Sequence, residues 1–203
     1  MILASIKPYY YYLIGERKKK IEVRKSALKN LPQNIVFYMS KDEKSFALIP
    51  KEFQEKYRKH FGKVGLKATC NGGGFMIPLG LRGFEESKET LNAICLTNED
   101  LNAYGGLKTL YGWELSNTRI YGNPKELCEF KISCNRKNLC YSCNRFTGNP
   151  LDICNNTITR PPQSYMFVEE VRNDNCLCRS RIDLRLNRDA PIQTKSQELQ
   201  YNN

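Results

Sequence analysis

The sequence predicts an α+β protein in which a β-sheet with flanking helices carries a small cysteine-rich insertion. Asn34–Ser40 is predicted to be a strand, and both of its faces are mostly apolar, which is typical of a central strand. Pro50–His60 is predicted to be a helix, because proline suits the first turn and Phe53 and Tyr57 share one stripe. Four cysteines between positions 134 and 154 mark the insertion.

The N-terminal segment Ser5–Lys25 combines a strand, a helix and a charged strand. A proline ends the first strand, and Tyr9–Ile14 is predicted to form a helix with an aromatic surface. In the strand that follows, Lys20, Glu22 and Arg24 share one face, because side chains alternate across a strand. Two interpretations stay open: a cationic cluster around one carboxylate that binds a ligand, or a solvated charge run in which Glu22 is only a counter-ion.

Composition favours a cytoplasmic protein with a polyanionic partner. The chain has 203 residues, a net charge of +11 and an isoelectric point near 9.2. This length suits one domain with a sizeable core, and a cationic surplus of this size favours polyanions. The sequence shows neither a secretory signal nor an apolar run of membrane-spanning length. We therefore expect free cytoplasmic thiols rather than a disulfide framework, and no membrane association.

The domain organisation follows from shifts in composition. We expect one domain over residues 1–172, with the cysteine-rich insertion at 128–156 and a mobile tail over 173–203. The tail is rich in Arg, Asn, Gln and Ser and has no apolar period. Thr97 is a predicted helix N-cap with Asp100 three residues later. His60, the only histidine, is predicted to be a helix C-terminal cap or a surface residue.

A short motif near the N-terminus resembles the opening of an ASCH domain, a member of the PUA-like β-barrels. The pattern is a lysine-proline pair, a helix of about ten residues and a Lys-x-x-Glu-x-Arg strand, with Lys7, Pro8, Lys19, Glu22 and Arg24 at the motif positions. Arg160–Glu169 resembles the last barrel strand of a bacterial and phage branch of that family, which carries a cysteine cluster just upstream. The resemblance spans residues 2–170 and implies a PUA-like β-barrel with flanking helices.

The resemblance implies a cleft that holds RNA or a nucleotide. Lysine and arginine would meet phosphates, and Glu22 would accept hydrogen bonds from an exocyclic amine of a base. Aromatic rings would stack on the base, although Trp113 also suits a core position with its indole nitrogen satisfied. The predicted nucleic-acid-binding residues are Lys7, Lys19, Lys20, Glu22, Arg24, Tyr11, Tyr111 and Trp113.

Two alternatives to simple binding stay open. Some small ASCH proteins resemble amidohydrolases that remove the acetyl group of N4-acetylcytidine with a lysine, a threonine and a glutamate. Lys19 matches the lysine, but the threonine position falls on Glu22, so the role of nucleophile does not carry over. Lys19 and Glu22 are candidate catalytic residues if burial lowers the pKa of Lys19, and with Arg24 they would also form the site of a ribonuclease. The other alternative is a protein-interaction module that docks through the basic face and the cysteines.

The cysteine spacing C-x5-C-x2-C-x10-C predicts a structural zinc site. Two residues between Cys140 and Cys143 let both sulfurs reach one tetrahedral ion at about 2.3 Å. Four sulfur ligands leave no position for an activated water, so the metal would be structural. Unligated thiols and a redox-active pair are the alternatives. The predicted ligands are Cys134, Cys140, Cys143 and Cys154, with Cys128 as a substitute ligand, while Cys70 and Cys95 are predicted to be small buried hydrophobes.

Elemental analysis of the purified protein is expected to find about one zinc ion per chain. The double variant Cys140→Ser/Cys143→Ser should lose the metal, and the control Cys95→Ser should keep it. Chelation should lower the thermal midpoint, because metal binding is linked to folding. A protein purified without zinc, or a thermal midpoint that chelation leaves unchanged, would contradict the site.

Overall fold

The computed structural model describes residues 1–76, 83–133 and 157–171, which form a mixed α+β fold. The strands are β1 (Ile2–Ile6), β2 (Ile21–Arg24), β3 (Gln33–Met39), β4 (Val64–Gly72), β5 (Phe75–Met76), β6 (Leu110–Lys125), β7 (Phe130–Ile132) and β8 (Tyr165–Glu170). The helices are α1 (Pro8–Gly15), α2 (Glu43–Phe46), α3 (Lys51–Arg58), α4 (Lys88–Ile94) and α5 (Asn98–Gly105), and a 3-10 turn covers Leu127–Glu129. The α+β class predicted from the sequence is confirmed.

The strands form one sheet in the order β2-β6-β4-β3-β1-β8-β7, and β5 pairs with β6. Strand β1 runs parallel to β3, and the other pairs are antiparallel. Strand β3 therefore lies inside the sheet, as its two apolar faces predicted. Ile35 and Phe37 pack into the core beneath α1, and Val36 packs into a second core on the opposite face.

Aromatic side chains pack α1 against α3. Proline occupies the first turn of α1, where a missing backbone N–H costs nothing. The buried Tyr12 ring lies 5.3 Å from Phe53 and 5.5 Å from Tyr57, measured between ring centroids. The predicted aromatic surface of the N-terminal helix is thus confirmed as a core contact. Thr97 caps α5 in a capping box with Asp100, as predicted.

The sheet is not closed into a barrel by backbone pairing within the described residues, which corrects the expectation of a closed PUA-like barrel. Strands β2 and β7 end the sheet and do not pair with each other. Other segments protect these two ends. The Lys20 N–H just before β2 donates to the Ala93 carbonyl of α4, and Ile158 donates to the Phe130 carbonyl of β7. A neighbouring segment thus makes a backbone hydrogen bond at each end of the sheet.

His60 is fully buried, which corrects its prediction as a cap or surface residue. Its Nδ1 atom lies 3.0 Å from the Tyr11 hydroxyl in a hydrogen bond. Gly65 makes room for the imidazole, since a Cβ atom at that position would lie 2.1 Å from His60 Nδ1. Burial, with the charges of Lys59 and Lys56, lowers the pKa of His60 to about 4.

The described cysteines follow the sequence predictions in part. Cys70 is buried and Cys95 is partly exposed, and both are free thiols. Cys95 was predicted to be buried, but it ends α4 in a left-handed conformation with φ of 51°. Cys128 is disulfide-bonded, so the expectation of free thiols does not hold at that position. No helix among the described residues has the length and apolar character needed to span a membrane.

Acid is expected to destabilise the protein through His60. Its folded-state pKa of about 4 lies below the ordinary value near 6.5, so the unfolded state binds more protons between these pH values. The free energy of unfolding should therefore fall as the pH drops from 7 to 4, by about 3 kcal/mol from this residue. Urea denaturation at several pH values measures the slope.

The variant His60→Asn provides the control, because its amide oxygen can take the place of Nδ1 and does not titrate. Since His60 is the only histidine in the chain, this variant removes the histidine contribution entirely. An equal pH slope in the variant and the natural protein would contradict the buried neutral imidazole.

Candidate functional site

Strand β2 and the residue pair before it bring three charged side chains together. The Glu22 carboxylate lies 3.7 Å from Lys19 Nζ and 3.0 Å from Arg24 Nε. Lys19 is 3% exposed, Glu22 7% and Arg24 6%, so both ion pairs are buried. We call these three residues the buried charge cluster. Glu22 and Arg24 share one face as alternation predicted, but the second cation of the cluster is Lys19, whereas Lys20, which was predicted to share that face, is exposed.

Arg24 also connects β2 with distant strands. Its guanidinium donates to the Ser5 carbonyl of β1 at 2.7 Å and to the Ser164 carbonyl just before β8 at 3.4 Å. The guanidinium carbon lies 5.5 Å from the centre of the Trp113 ring. Because β1 and β8 lie several strands away from β2 in the sheet order, the sheet curls, and Arg24 bridges its two sides.

Besides Glu22, Lys19 contacts a backbone carbonyl and an aromatic ring. Its ammonium donates to the Ile94 carbonyl at the end of α4 and lies 5.3 Å from the centre of the Tyr10 ring. Desolvation lowers the pKa of Lys19, and the Glu22 charge opposes that shift. A buried lysine with a lowered pKa releases its proton more readily than a solvated one, which is the property a general base needs.

Two tyrosines flank the buried charge cluster. Burial raises the pKa of Tyr10, and the charges of Asp100 and Glu22 add to the shift. Burial also raises the pKa of Tyr104, where the Arg24 charge acts against it and the Glu22 charge adds to it. The Glu22 charge therefore contributes to raising the pKa of both phenol groups, that of Tyr10 on α1 and that of Tyr104 on α5.

A pocket of about 320 Å³ opens beside the start of β2. Three cationic residues line it, Arg17, Lys19 and Lys20, together with the segment 115–118 of β6. That segment contributes a serine, an asparagine and a threonine, and none of the described residues that line the pocket is acidic. The pocket therefore offers positive charge and hydrogen-bond donors. We call it the basic pocket.

Backbone irregularities shape both walls of the basic pocket. Arg17 lies in the left-handed region with φ of 59°, where the chain leaves α1. Asn117 also has a positive φ, 50°, and asparagine tolerates this conformation better than most residues. Between the pairs Thr69–Ser116 and Lys67–Arg119, β6 has one residue more than β4, which is a β-bulge. The bulge lies in the segment that lines the pocket.

The five predicted binding residues outside the buried charge cluster fall into two groups. Lys20 is exposed at the basic pocket, Lys7 is exposed at the start of α1, and Tyr111 is half-buried opposite Arg24. Tyr11 and Trp113, by contrast, are buried, and this corrects their prediction as stacking platforms. Tyr11 contacts the imidazole of His60, and the Trp113 indole donates to the Ser26 carbonyl at 3.0 Å.

Sequence reasoning missed Arg17, Tyr10 and Tyr104. The signal for Arg17 was its charge directly before three consecutive lysines. The four consecutive tyrosines of α1 gave no basis for separating the buried Tyr11 from the half-buried Tyr10. Tyr104 comes close to Glu22 only through the packing of α5, which no local pattern reveals.

The four predicted zinc ligands, Cys134, Cys140, Cys143 and Cys154, lie outside the described residues, so the structural zinc site stays a prediction. Within residues 1–76, 83–133 and 157–171, no group of three or more His, Cys, Asp or Glu residues could hold a metal ion. The predicted tail over 173–203 also lies outside the described part of the chain.

No family model and no curated protein matches this chain. Among solved structures, it is similar to an ASCH protein from Zymomonas mobilis, with 16% identity, a TM-score of 0.42 and coverage of 90% of this chain and 94% of that one. A Tyr-to-Phe mutant of the same protein matches at 15% identity and a TM-score of 0.42, covering 90% and 96%. A Ser-to-Ala mutant matches at 15% identity and a TM-score of 0.41, and the match covers 90% of this chain and 94% of that one. All three are ASCH structures, and ASCH is the family that the N-terminal motif resembles.

Proposed function

We propose that the protein binds RNA or a nucleotide through the basic pocket, with the buried charge cluster holding the pocket in place. The observation that carries this proposal is the lining of the pocket, where two exposed cations, Arg17 and Lys20, meet a polar segment beside the buried Lys19, without a described acidic residue. Arginine and lysine bind phosphate through charge-assisted hydrogen bonds, and the hydroxyl groups add further donors. A volume of about 320 Å³ lies at the lower end of the range for small-molecule sites.

The properties of the whole chain support the same proposal. A net charge of +11 attracts polyanions over long distances and accelerates their association. The N-terminal motif, which resembles that of ASCH domains, places Lys19 at the pocket and Glu22 behind it. Within this proposal Glu22 acts on the protein rather than on the base, because its two oxygens already face Lys19 and Arg24.

A second candidate function is hydrolysis of a modified nucleoside such as N4-acetylcytidine. The observation that favours it is the lowered pKa of Lys19 beside a carboxylate. Lys19 lines the basic pocket, so a ligand in the pocket would lie near an amine whose pKa is lowered by burial. Glu22 would then orient and charge-balance Lys19.

Neutralising the pocket is expected to weaken RNA binding and its dependence on salt. The variant Arg17→Gln/Lys20→Gln removes two exposed cations, so the affinity for a labelled single-stranded RNA should fall about tenfold or more at low salt. The slope of log affinity against log salt should fall by about 1 to 2, because fewer counterions are released. Fluorescence anisotropy at about 50 and 200 mM salt measures both quantities.

The matched control is Lys51→Gln/Lys108→Gln, which removes the same charge from α3 and from the loop after α5. If both double variants lose the same affinity, binding depends on net charge and the pocket has no special role. Release of cytidine from N4-acetylcytidine by the natural protein, lost in Lys19→Met, would favour the hydrolase instead.

A further inference from the structure

We propose that Lys67 and Arg119 form a second phosphate site for an RNA strand, on the face of the sheet opposite α1. This inference rests on the proposed function, because it takes RNA as the ligand. It specifies that ligand as an oligonucleotide, since it supplies a phosphate contact outside the basic pocket.

One set of β4 side chains lies on the face of the sheet away from α1. Leu66 and Cys70 pack into the core beneath α1, and side chains alternate along a strand. Lys67, Thr69 and Asn71 therefore lie on the opposite face. Each of these three residues is at least partly exposed to solvent.

Strand β6 adds two residues to this face. Ser116 pairs with Thr69, and Arg119 pairs with Lys67. Directly paired residues of an antiparallel sheet have their side chains on the same side. The Asn71 amide donates to the Ser116 hydroxyl at 2.6 Å, in agreement with this placement. We call the five residues Lys67, Thr69, Asn71, Ser116 and Arg119 the polar sheet face.

Lys67 and Arg119 are two cations placed directly opposite each other on neighbouring strands. At such a position the Cβ atoms lie about 5 Å apart, so both long side chains can reach one phosphate group. Like charges directly opposite each other destabilise a strand pair. This arrangement therefore favours a role in binding an anion over a role in stability.

The other cations near the ends of these two strands are paired with acids. Lys63, just before β4, and Lys125, at the end of β6, each form an ion pair with a glutamate, at 2.9 Å and 2.6 Å. The ion pairs among the described residues include neither Lys67 nor Arg119. The acidic residue of β6 is Glu114, five residues before Arg119, or about 16 Å along an extended strand. Both cations are thus available to a phosphate.

Ser116 connects the polar sheet face with the basic pocket. It pairs with Thr69 on the face and also lines the pocket. Thr118, another lining residue, comes directly before Arg119 in the chain. The β-bulge of β6 lies at this junction, between Ser116 and Arg119. An RNA strand held at the pocket can therefore continue past the bulge to Lys67 and Arg119.

Fluorescence anisotropy with a 5′-labelled single-stranded decaadenylate tests the inference. The face variant Lys67→Gln/Arg119→Gln should bind about tenfold more weakly at about 50 mM salt, and the slope of log affinity against log salt should fall by about 1 to 2. The swapped variant Lys67→Arg/Arg119→Lys keeps both charges and should bind like the natural protein. The control Lys51→Gln/Lys108→Gln removes the same charge from other surfaces and should lose much less affinity.

Urea denaturation of the face variant separates a binding role from a structural one. Its free energy of unfolding should equal or exceed that of the natural protein, because the substitutions remove a repulsion between like charges. A less stable face variant would indicate that Lys67 and Arg119 serve the fold and would overturn the inference.

The binding outcomes separate this inference from the proposed function. Normal binding by the face variant, together with weak binding by the pocket variant Arg17→Gln/Lys20→Gln, would overturn the second phosphate site and leave the pocket in place. The reverse result would support the phosphate site and overturn the pocket. Equal losses in the face variant and the control would show that only net charge matters and would overturn the inference. A natural protein that does not bind the decaadenylate would overturn both proposals.

Discussion

The ion pairs of Glu22 with Lys19 and Arg24 are the interaction on which the rest of the structure depends. Glu22 compensates two buried cations, and Arg24 uses its remaining donors on Ser5 and Ser164. These contacts connect β2 with β1 and with the start of β8, across a sheet whose ends do not pair within the described residues. The side chain of Arg24 thus connects two parts of the sheet that backbone hydrogen bonds would connect in a closed barrel.

The same interaction determines which charges face a ligand. Three ionised groups buried together have lost much of their hydration, and their mutual attraction must offset that cost. Arg24 has its donors directed at protein carbonyls, and Glu22 has both oxygens near cations, so neither is free for a ligand. The cations left for binding are those at the edge of the cluster, Arg17 and Lys20, with Lys19 between the cluster and the pocket. Structural and binding roles are thus divided among neighbouring residues of one segment.

The local sequence pattern predicted a side chain's position correctly where that position depends on a single helix or strand. Alternation across β2 placed Glu22 and Arg24 on one face, and the apolar faces of β3 identified an interior strand. Thr97 followed from capping chemistry, which depends on residues three positions apart. The pattern did not place the Lys19 side chain, because this residue precedes the strand and alternation does not constrain it.

Features that depend on packing between distant segments could not be predicted. His60 is buried because Gly65 on the next strand leaves space for its ring, and a helix-end position alone suggests a surface residue. The basic pocket needs the bulge of β6 beside the turn after α1, two segments about one hundred residues apart in sequence. Tyr104 reaches the cluster only because α5 packs near β2. These are tertiary effects, which override local propensity.

The most direct test of the central claim is the free energy of unfolding of Glu22→Gln, measured by urea denaturation beside Glu114→Gln, an exposed carboxylate on the adjacent strand β6. Removing the Glu22 charge leaves Lys19 and Arg24 buried without compensation, so we expect a loss of about 3 kcal/mol or more, against little change for Glu114→Gln. Equal stabilities of Glu22→Gln and the natural protein would contradict a buried charge cluster that holds the sheet together.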